Sequence, residues 1–219
     1  SELHGRVSRK MWHPLYPDLD VEEVPIGHIT NGVHLMGWMK GPVRSFWKRK
    51  LGDSWDRDLD SVEFWQRMLD PQFVADEELW VLRYMLRRGM IEFARRRLAL
   101  QGRTVTQSDF IAFAQLLDPD TLTIGFARRF ATYKRAPLVF TDLDRVIRMV
   151  SDRDRPIQFV FAGKAHPMDD DGKRLIQKII HLSKHTELRG RLVFIENYDV
   201  HVARQMVSGC DVLLNNPRR

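Results

Sequence analysis

Residues 121–135 read TLTIGFARRFATYKR, a short apolar run followed directly by a basic one. The first part, TIGFA at 123–127, contains β-branched residues and a glycine and is typical of a buried strand in a parallel sheet. Pro137 then opens a helical pattern, and proline is favoured at the first position of a helix. The basic residues are therefore predicted to lie between a strand's carboxyl end and a helix, where open α/β sheets bind ligands.

The basic part of this stretch carries no compensating carboxylate. Four cations fall within eight residues: Arg128, Arg129, Lys134 and Arg135. No Asp or Glu lies between Asp120 and Asp142, and cations at a helix amino end are each disfavoured by roughly 0.3–1 kcal/mol. A bound anion such as phosphate would relieve this repulsion. Tyr133 and the strand-to-helix context favour an anion site over a solvated basic loop.

Strand and helix patterns alternate along the chain after Pro119. The predicted strands are 122–127, 157–162, 192–195 and 212–214, and the predicted helices are 138–150, 174–182 and 200–207. Alternation at intervals of about 30 residues predicts an α/β fold with a doubly wound, Rossmann-like parallel sheet. Polar clusters follow the strands: Arg128-Arg129, Gly163-Lys164, Glu196-Asn197-Tyr198 and Asn215-Asn216. Because parallel strands end at one edge, these clusters are expected to converge on one crevice.

Residues 61–101 are predicted to be helical, and 108–117 form a shorter helical pattern. From Asp76, apolar residues recur at spacings of three and four: Leu79, Leu82, Leu86, Met90, Phe93, Ala94 and Leu98. The arginines fall mostly off that stripe: Arg87, Arg88, Arg95, Arg96 and Arg97. They predict a solvated basic face on this helix.

The amino-terminal part reads differently from the strand-forming part. Residues 1–12 are typical of the end of a helix already under way, and 14–25 form a polar connector. In IGHITNGVHLMGWM at 26–39, three glycines are spaced among Asn31, His34 and Trp38. Glycines at such spacing let backbone approach a ligand closely, although a turn-rich linker would have the same composition.

Composition narrows the class of protein. The chain has 219 residues, a formal net charge of +6 and one cysteine, Cys210, which fits a reducing cytoplasm. No run approaches a membrane span, and the amino end has no signal-peptide pattern. The positive charge would suit a nucleic-acid binder, but no zinc spacing, RNA-binding aromatic signature or basic tail accompanies it. The run Asp169-Asp170-Asp171 could suggest a metal site, but a solvated loop before a helix is the favoured interpretation.

Six motifs occur in the order found in one enzyme family. They are HGRVSRKMW, HITNGVH…W, TIGFARRFATYKR, FAGKAHPMDDDGK, VFIENYD and GCDVLLNNPRR. The chain resembles the bacterial branch of the α-glucan (glycogen, starch, maltodextrin) phosphorylases. The resemblance implies a glycosyltransferase-B architecture, in which two Rossmann-like domains face each other across a cleft. Residues 1–30 would be the end of the amino-terminal domain and a connector, and 31–219 the first part of the carboxyl-terminal cofactor and phosphate domain, including the helical segment 61–117.

The same resemblance implies an activity. The family uses pyridoxal 5'-phosphate, through the cofactor's phosphate group, to phosphorolyse α-1,4-glucans and release α-D-glucose 1-phosphate. The implied partners are α-1,4-glucan and inorganic phosphate, in a cytoplasmic protein whose parent is a homodimer. The family's cofactor-bearing lysine lies shortly after the NNPRR motif and is therefore expected beyond residue 219. The chain is accordingly expected to be an internal fragment that is inactive by itself.

Three basic residues acquire roles from the resemblance. Arg129 matches the arginine that holds the substrate phosphate. Lys134 matches the lysine near the cofactor and substrate phosphates. Arg128 stands where many members have a lysine that touches the cofactor phosphate, and arginine keeps that charge but not its shape.

Four further residues match positions on the sugar and cofactor sides of the family's site. Asn31 and Tyr133 match sugar-site positions, whereas Trp38 and Tyr198 match aromatic residues on the cofactor side. Asp199 replaces a cation found in some members and has no assigned role. Other interpretations stay open: a nucleotide-sugar glucan synthase of the same fold, a non-catalytic glucan- or phosphate-binding module, or a basic nucleic-acid binder.

Overall fold

A four-stranded sheet, in which all strands run parallel, organises the part of the chain that the computed structural model describes, residues 1–57, 59–101 and 113–218. The strands are β1 (Leu122–Ala127), β2 (Ile157–Ala162), β3 (Leu192–Ile195) and β4 (Val212–Leu213). Their order across the sheet is β3-β2-β1-β4. The predicted α/β fold is confirmed. The first three strands have their predicted bounds, and β4 ends one residue early.

The register aligns the carboxyl ends of the three long strands. Ala127 of β1 lies opposite Ala162 of β2, which in turn lies opposite Ile195 of β3. The residue after each member of this row begins a loop, so the loops leave the sheet along one edge. This is the edge at which the sequence predicts the polar clusters to converge.

The helices of the described residues flank this sheet or precede it. They are α1 (Glu2–Trp12), α2 (Leu35–Trp38), α3 (Gly41–Leu51), α4 (Val62–Met68), α5 (Asp76–Gln101), α6 (Leu143–Val150), α7 (Asp170–Leu182) and α8 (Val200–Gly209). Of the predicted helix over 108–117, residues 108–112 lie outside the described part of the chain. No helix in the described ranges combines the length and the apolar composition needed to cross a membrane.

The predicted helix over 138–150 is wrong in its first half. Ala136–Phe140 forms a 3-10 helix with proline in its first turn, and α6 begins only at Leu143. Arg135, immediately before this turn, has a φ of +50°, which breaks helical continuity with the preceding loop. The Asp142 side chain then accepts a hydrogen bond from the Arg145 backbone N–H at 3.0 Å and starts a new helix.

Two apolar layers pack against opposite faces of the sheet. Because side chains alternate along a strand, Phe159 and Phe161 of β2 face one layer, which includes residues of α6 and α7. Val160 and Ala162 face the other layer, which includes residues of α5 and α8. All six residues of β2 are buried, as expected for a strand covered on both faces.

The predicted solvated basic face of α5 is wrong for two of its arginines. Arg87 is only 2% exposed, and its guanidinium contacts both carboxylate oxygens of Asp211 at 2.9 Å. Arg95 donates hydrogen bonds of 2.8 Å to the backbone carbonyls of Leu116 and Leu117. These guanidiniums satisfy groups that the packing of α5 against the sheet would otherwise leave unpaired. Helical periodicity reports which side of a helix is apolar, but it does not report which acceptors lie beside the other side.

The chain divides into two compact units, Ser1–Gly37 and Trp38–Arg219. In the first, Arg9 of α1 donates to the Ile26 carbonyl at 3.1 Å and pairs with Glu22 at 2.8 Å, so the helix is tied to the connector that follows it. The predicted domain division at residue 30 stays a prediction.

Candidate anion-binding site at the carboxyl edge of the sheet

The loops after β1 and β2 are joined backbone to backbone at the edge of the sheet. The Arg128 N–H donates to the Ala162 carbonyl at 3.3 Å, and the Phe130 N–H donates to the Lys164 carbonyl at 2.8 Å. Gly163 lies between these two bonds, and a Cβ there would overlap the Arg128 carbonyl oxygen and come within 2.6 Å of the Phe130 ring. Only glycine allows the two loops to approach this closely.

The basic loop, residues 128–135, is also tied to the segment 215–218 that follows β4. The Arg135 Nε donates to the Asn216 carbonyl at 2.8 Å, and the Arg218 N–H donates to the Tyr133 carbonyl at 2.8 Å. The Arg128 guanidinium donates to Asn215 Oδ1. The loop is therefore fixed at both ends. The sequence indicates Asn215 and Asn216 only as a polar cluster after a strand, and nothing in it identifies their partners.

Two cations of the loop lack both an ion pair and a side-chain hydrogen bond within the described residues. Lys134 is 6% exposed, and its Nζ lies 5.6 Å from the Tyr133 ring centroid, but it makes no ion pair or side-chain hydrogen bond with another described residue. Arg129 is exposed and likewise has no such partner within the described ranges. A cation that the fold fixes in place without a paired anion is suited to an incoming anion. The Tyr133 ring contributes a cation–π contact to this ammonium but no negative charge.

Tyr198 reaches the same edge from the loop after β3. Its hydroxyl donates to the Ala127 carbonyl at 3.1 Å, directly before Arg128. Burial raises the pKa of the Tyr198 phenol, so the group remains a neutral donor at physiological pH. The next residue, Asp199, accepts from the Val202 N–H at 2.8 Å and caps α8, and this backbone hydrogen bond lowers the pKa of its carboxyl. Asp199 thus has a structural role that the sequence leaves unassigned.

Two predicted site residues, Asn31 and Trp38, belong to segments that precede the sheet in the sequence. Asn31 is exposed within the Ser1–Gly37 unit, and Trp38 is 37% exposed at the end of α2. The described residues show no hydrogen bond or ring contact between Trp38 and the basic loop. The carboxyl edge therefore gathers five of the predicted residues: Arg128, Arg129, Tyr133, Lys134 and Tyr198.

The acidic run after β2 begins a helix. Asp169 caps α7 by accepting from the Gly172 N–H at 2.8 Å. Asp170 pairs with Lys173 at 2.9 Å, and Asp171 pairs with Arg174 at 2.5 Å. Each of the three carboxylates is therefore engaged by a donor of its own helix.

The fold and this edge define a class: a Rossmann-like α/β domain with a basic loop at the carboxyl edge of its parallel sheet. No protein-family model matches the chain. Curated relatives do. The chain is 38% identical to the maltodextrin phosphorylase of Thermococcus litoralis over its whole length. It is 40% identical to the glycogen phosphorylase of Aquifex aeolicus over 99% of its length, and 41% identical to that of Mycobacterium tuberculosis over its whole length.

These matches cover 26%, 31% and 25% of the three relatives, so the chain spans about a quarter to a third of their length. The predicted resemblance is confirmed: from end to end, the chain is similar to one segment of the α-glucan phosphorylases.

Proposed function

We propose that this chain is the phosphate- and cofactor-binding part of a longer protein, the parent protein, that phosphorolyses α-1,4-glucans. The observation that carries the proposal is a pair of cations, Arg129 and Lys134, at the carboxyl edge of a parallel sheet. Among the described residues, neither has an ion pair or a side-chain hydrogen bond. The identity of 38–41% to maltodextrin and glycogen phosphorylases along the whole chain supports it. The products would be α-D-glucose 1-phosphate and a glucan shortened by one glucose.

Arg129 and Lys134 would hold the substrate phosphate. That phosphate donates a proton to the glycosidic oxygen as the bond from this oxygen to C1 breaks, and one of its oxygens then bonds to C1. Fixed cations stabilise the charge that develops on the phosphate without rearranging during the reaction. The exposed position of Arg129 suits contact with a ligand that arrives from solvent.

The residues present fit a phosphorylated cofactor, pyridoxal 5'-phosphate. Lys134 and Arg128 would bind its phosphate, since both lie on the basic loop and neither faces a carboxylate of the described residues. Tyr198 and Trp38 would also contact the cofactor. When bound, the cofactor supplies a second phosphate group that exchanges protons with the substrate phosphate. The cofactor-bearing lysine is proposed to lie outside this chain.

Two polar side chains would bind the glucan. Tyr133 is 50% exposed on the basic loop and can offer its hydroxyl to a sugar, and the exposed Asn31 would contribute its amide. We further propose a glycosyltransferase-B architecture for the parent protein, a homodimeric assembly and, from the single cysteine, a cytoplasmic location.

Phosphorolysis of maltoheptaose by the parent protein, with glucose 1-phosphate as the measured product, tests the proposal. We expect product that depends on both inorganic phosphate and added pyridoxal phosphate. Glucan extension from a nucleotide sugar, without phosphate dependence, would instead identify a synthase. Glucan binding without either reaction would identify a non-catalytic module.

A further inference from the structure

We infer that Asn215 is a positioning residue of the candidate site, which holds Arg128 through an uncharged acceptor. Because the acceptor is uncharged, Arg128 is fixed in place while its positive charge stays available to a phosphate dianion. The inference rests on the proposed function and adds a determinant of phosphate affinity to it.

The pairing of β4 with β1 brings Asn215 to Arg128. Val212 lies opposite Ile124, Leu213 lies opposite Gly125, and the Leu214 N–H donates to the Gly125 carbonyl at 2.8 Å. Asn215 therefore leaves the sheet beside the end of β1. There its Oδ1 accepts from the Arg128 guanidinium, across 87 residues of sequence.

The rest of the segment 215–218 also offers uncharged acceptors to the basic loop. Arg135 donates to the carbonyls of Asn216 and Pro217 at 2.8 and 3.4 Å. Amide and peptide oxygens are neutral, so these contacts restrain guanidinium groups without cancelling their charge. Within the described residues, no ion pair joins a cation of the basic loop to a carboxylate.

At the opposite end of β4, arginines are held by a carboxylate instead of an uncharged acceptor. Asp211, directly before this strand, pairs with Arg87 at 2.9 Å and with Arg83 at 3.2 Å. Two arginines thus share one carboxylate at one end of the strand, whereas Arg128 meets an amide four residues further on. A buried structural arginine needs a counter-charge, but an arginine that binds an anion must not already have one.

An aspartate at position 215 would have nearly the same shape as Asn215 but would pair with Arg128 and repel phosphate. An alanine would release Arg128 from its acceptor, and phosphate binding would then have to order a mobile side chain. The aspartate should weaken phosphate binding more than the alanine does. In the aspartate variant phosphate competes with a charged hydrogen bond to Arg128, whereas in the alanine variant it only has to order one side chain.

The test measures the Kd for inorganic phosphate by isothermal titration, together with Tm, on the 219-residue chain. The variants are Asn215→Asp and Asn215→Ala. The matched control is Gln72→Glu, which adds the same charge at an exposed position outside the sheet. We expect about tenfold or weaker binding for Asn215→Asp with Tm unchanged or raised, about two- to fivefold weaker binding for Asn215→Ala, and no change for the control.

A second arm asks whether Asn215 acts through Arg128. In an Arg128→Gln background, Asn215→Ala should cause no further loss of phosphate affinity. An additional loss equal to that seen in the wild-type background would overturn the positioning role.

The outcomes separate the inference from the proposed function. If the wild-type chain binds phosphate and Asn215→Asp binds it equally tightly, the inference fails and the phosphate site stands. If affinity and Tm fall in parallel in both Asn215 variants, Asn215 serves only the fold and the inference also fails. If the wild-type chain binds no phosphate, both fail.

Discussion

The Tyr198 hydroxyl donates a hydrogen bond to the Ala127 carbonyl at 3.1 Å, although β2 lies between the strands from which these residues come. Tyr198 follows β3 and Ala127 ends β1, so the side chain passes over the end of the intervening strand. Neighbouring strands lie about 4.8 Å apart, so the side chain and its hydrogen bond together span the width of the intervening strand. One hydrogen bond thus connects the loop after β3 to the start of the basic loop.

Removing this hydroxyl should destabilise the chain modestly. For Tyr198→Phe we expect the free energy of unfolding to fall by about 0.5–1.5 kcal/mol, because the Ala127 carbonyl loses its side-chain donor. Urea denaturation measures the change. Tyr84→Phe is the matched control, since the Tyr84 hydroxyl makes no hydrogen bond with another described residue. Equal effects of the two substitutions would contradict a specific role for the bond to Ala127.

Replacing Arg129 should impair catalysis and leave the fold intact. In the parent protein, we expect Arg129→Ala to lower kcat/KM for phosphate by about a hundredfold or more, because a preorganised cation at the reacting phosphate is lost. The exposed Arg129 has no partner within the described residues, so Tm should not change. Arg96→Ala, an exposed substitution on α5, should alter neither quantity. Similar kinetics for the two variants would exclude the basic loop as the phosphate site.

Adding a methyl group at Gly163 should separate the loops that follow β1 and β2. A Cβ at this position would overlap the Arg128 carbonyl oxygen, and backbone cannot move aside as the end of a flexible side chain can. We expect Gly163→Ala to lower the free energy of unfolding by about 1–3 kcal/mol and to weaken phosphate binding as well.

Gly89→Ala is the control for this substitution. Gly89 lies within α5, and a methyl group added there would have no neighbouring atom within 4 Å. Alanine at this position should therefore raise the free energy of unfolding by about 0.5–1 kcal/mol, because it favours the helix over the unfolded chain. Changes of the same sign at the two glycines would contradict the close approach at Gly163.

The thiol of Cys210 should be unreactive in the native chain. Burial, with a smaller effect of the Asp211 charge, raises its pKa to about 12. Since the thiolate is the nucleophile, a disulfide reagent at pH 8 should label Cys210 at least about a hundredfold more slowly in buffer than in denaturing urea. Rapid labelling of the folded chain would show that the packing around Cys210 opens readily.

The same raised pKa predicts the sign of a pH effect on stability. The folded chain binds the Cys210 proton more tightly than the unfolded chain does, so this contribution is fully present below the ordinary thiol pKa of about 8.5. It is lost as the pH rises from there towards 12. Urea denaturation at increasing alkaline pH, compared with a Cys210→Ala variant, should show a steeper loss for the wild-type chain.

The sequence by itself determined the strands and the edge at which they end. The runs that became β1, β2 and β3 are short, apolar and bounded by polar clusters, and β2 is buried on both faces, so local composition was sufficient to set their limits. Parallel pairing then follows from the intervening helices, and it places Arg128, Gly163 and Glu196 on one edge. The sequence also indicated the relatives, because six motifs occur in it in the same order as in the α-glucan phosphorylases.

Only the tertiary structure decided which groups meet the charged side chains. Arg87 looked solvated by its place on a helix, but it is buried against Asp211, 124 residues later. The Arg128 guanidinium donates to Asn215, 87 residues later in the sequence. Lys134 is 6% exposed and pairs with no carboxylate of the described residues. The spacing of apolar residues along the sequence indicates which face of a helix or strand packs against the core, and it depends only on residues that are close in sequence. The partner of a charge depends on which distant segments the sheet brings together, and that depends on strand order and register.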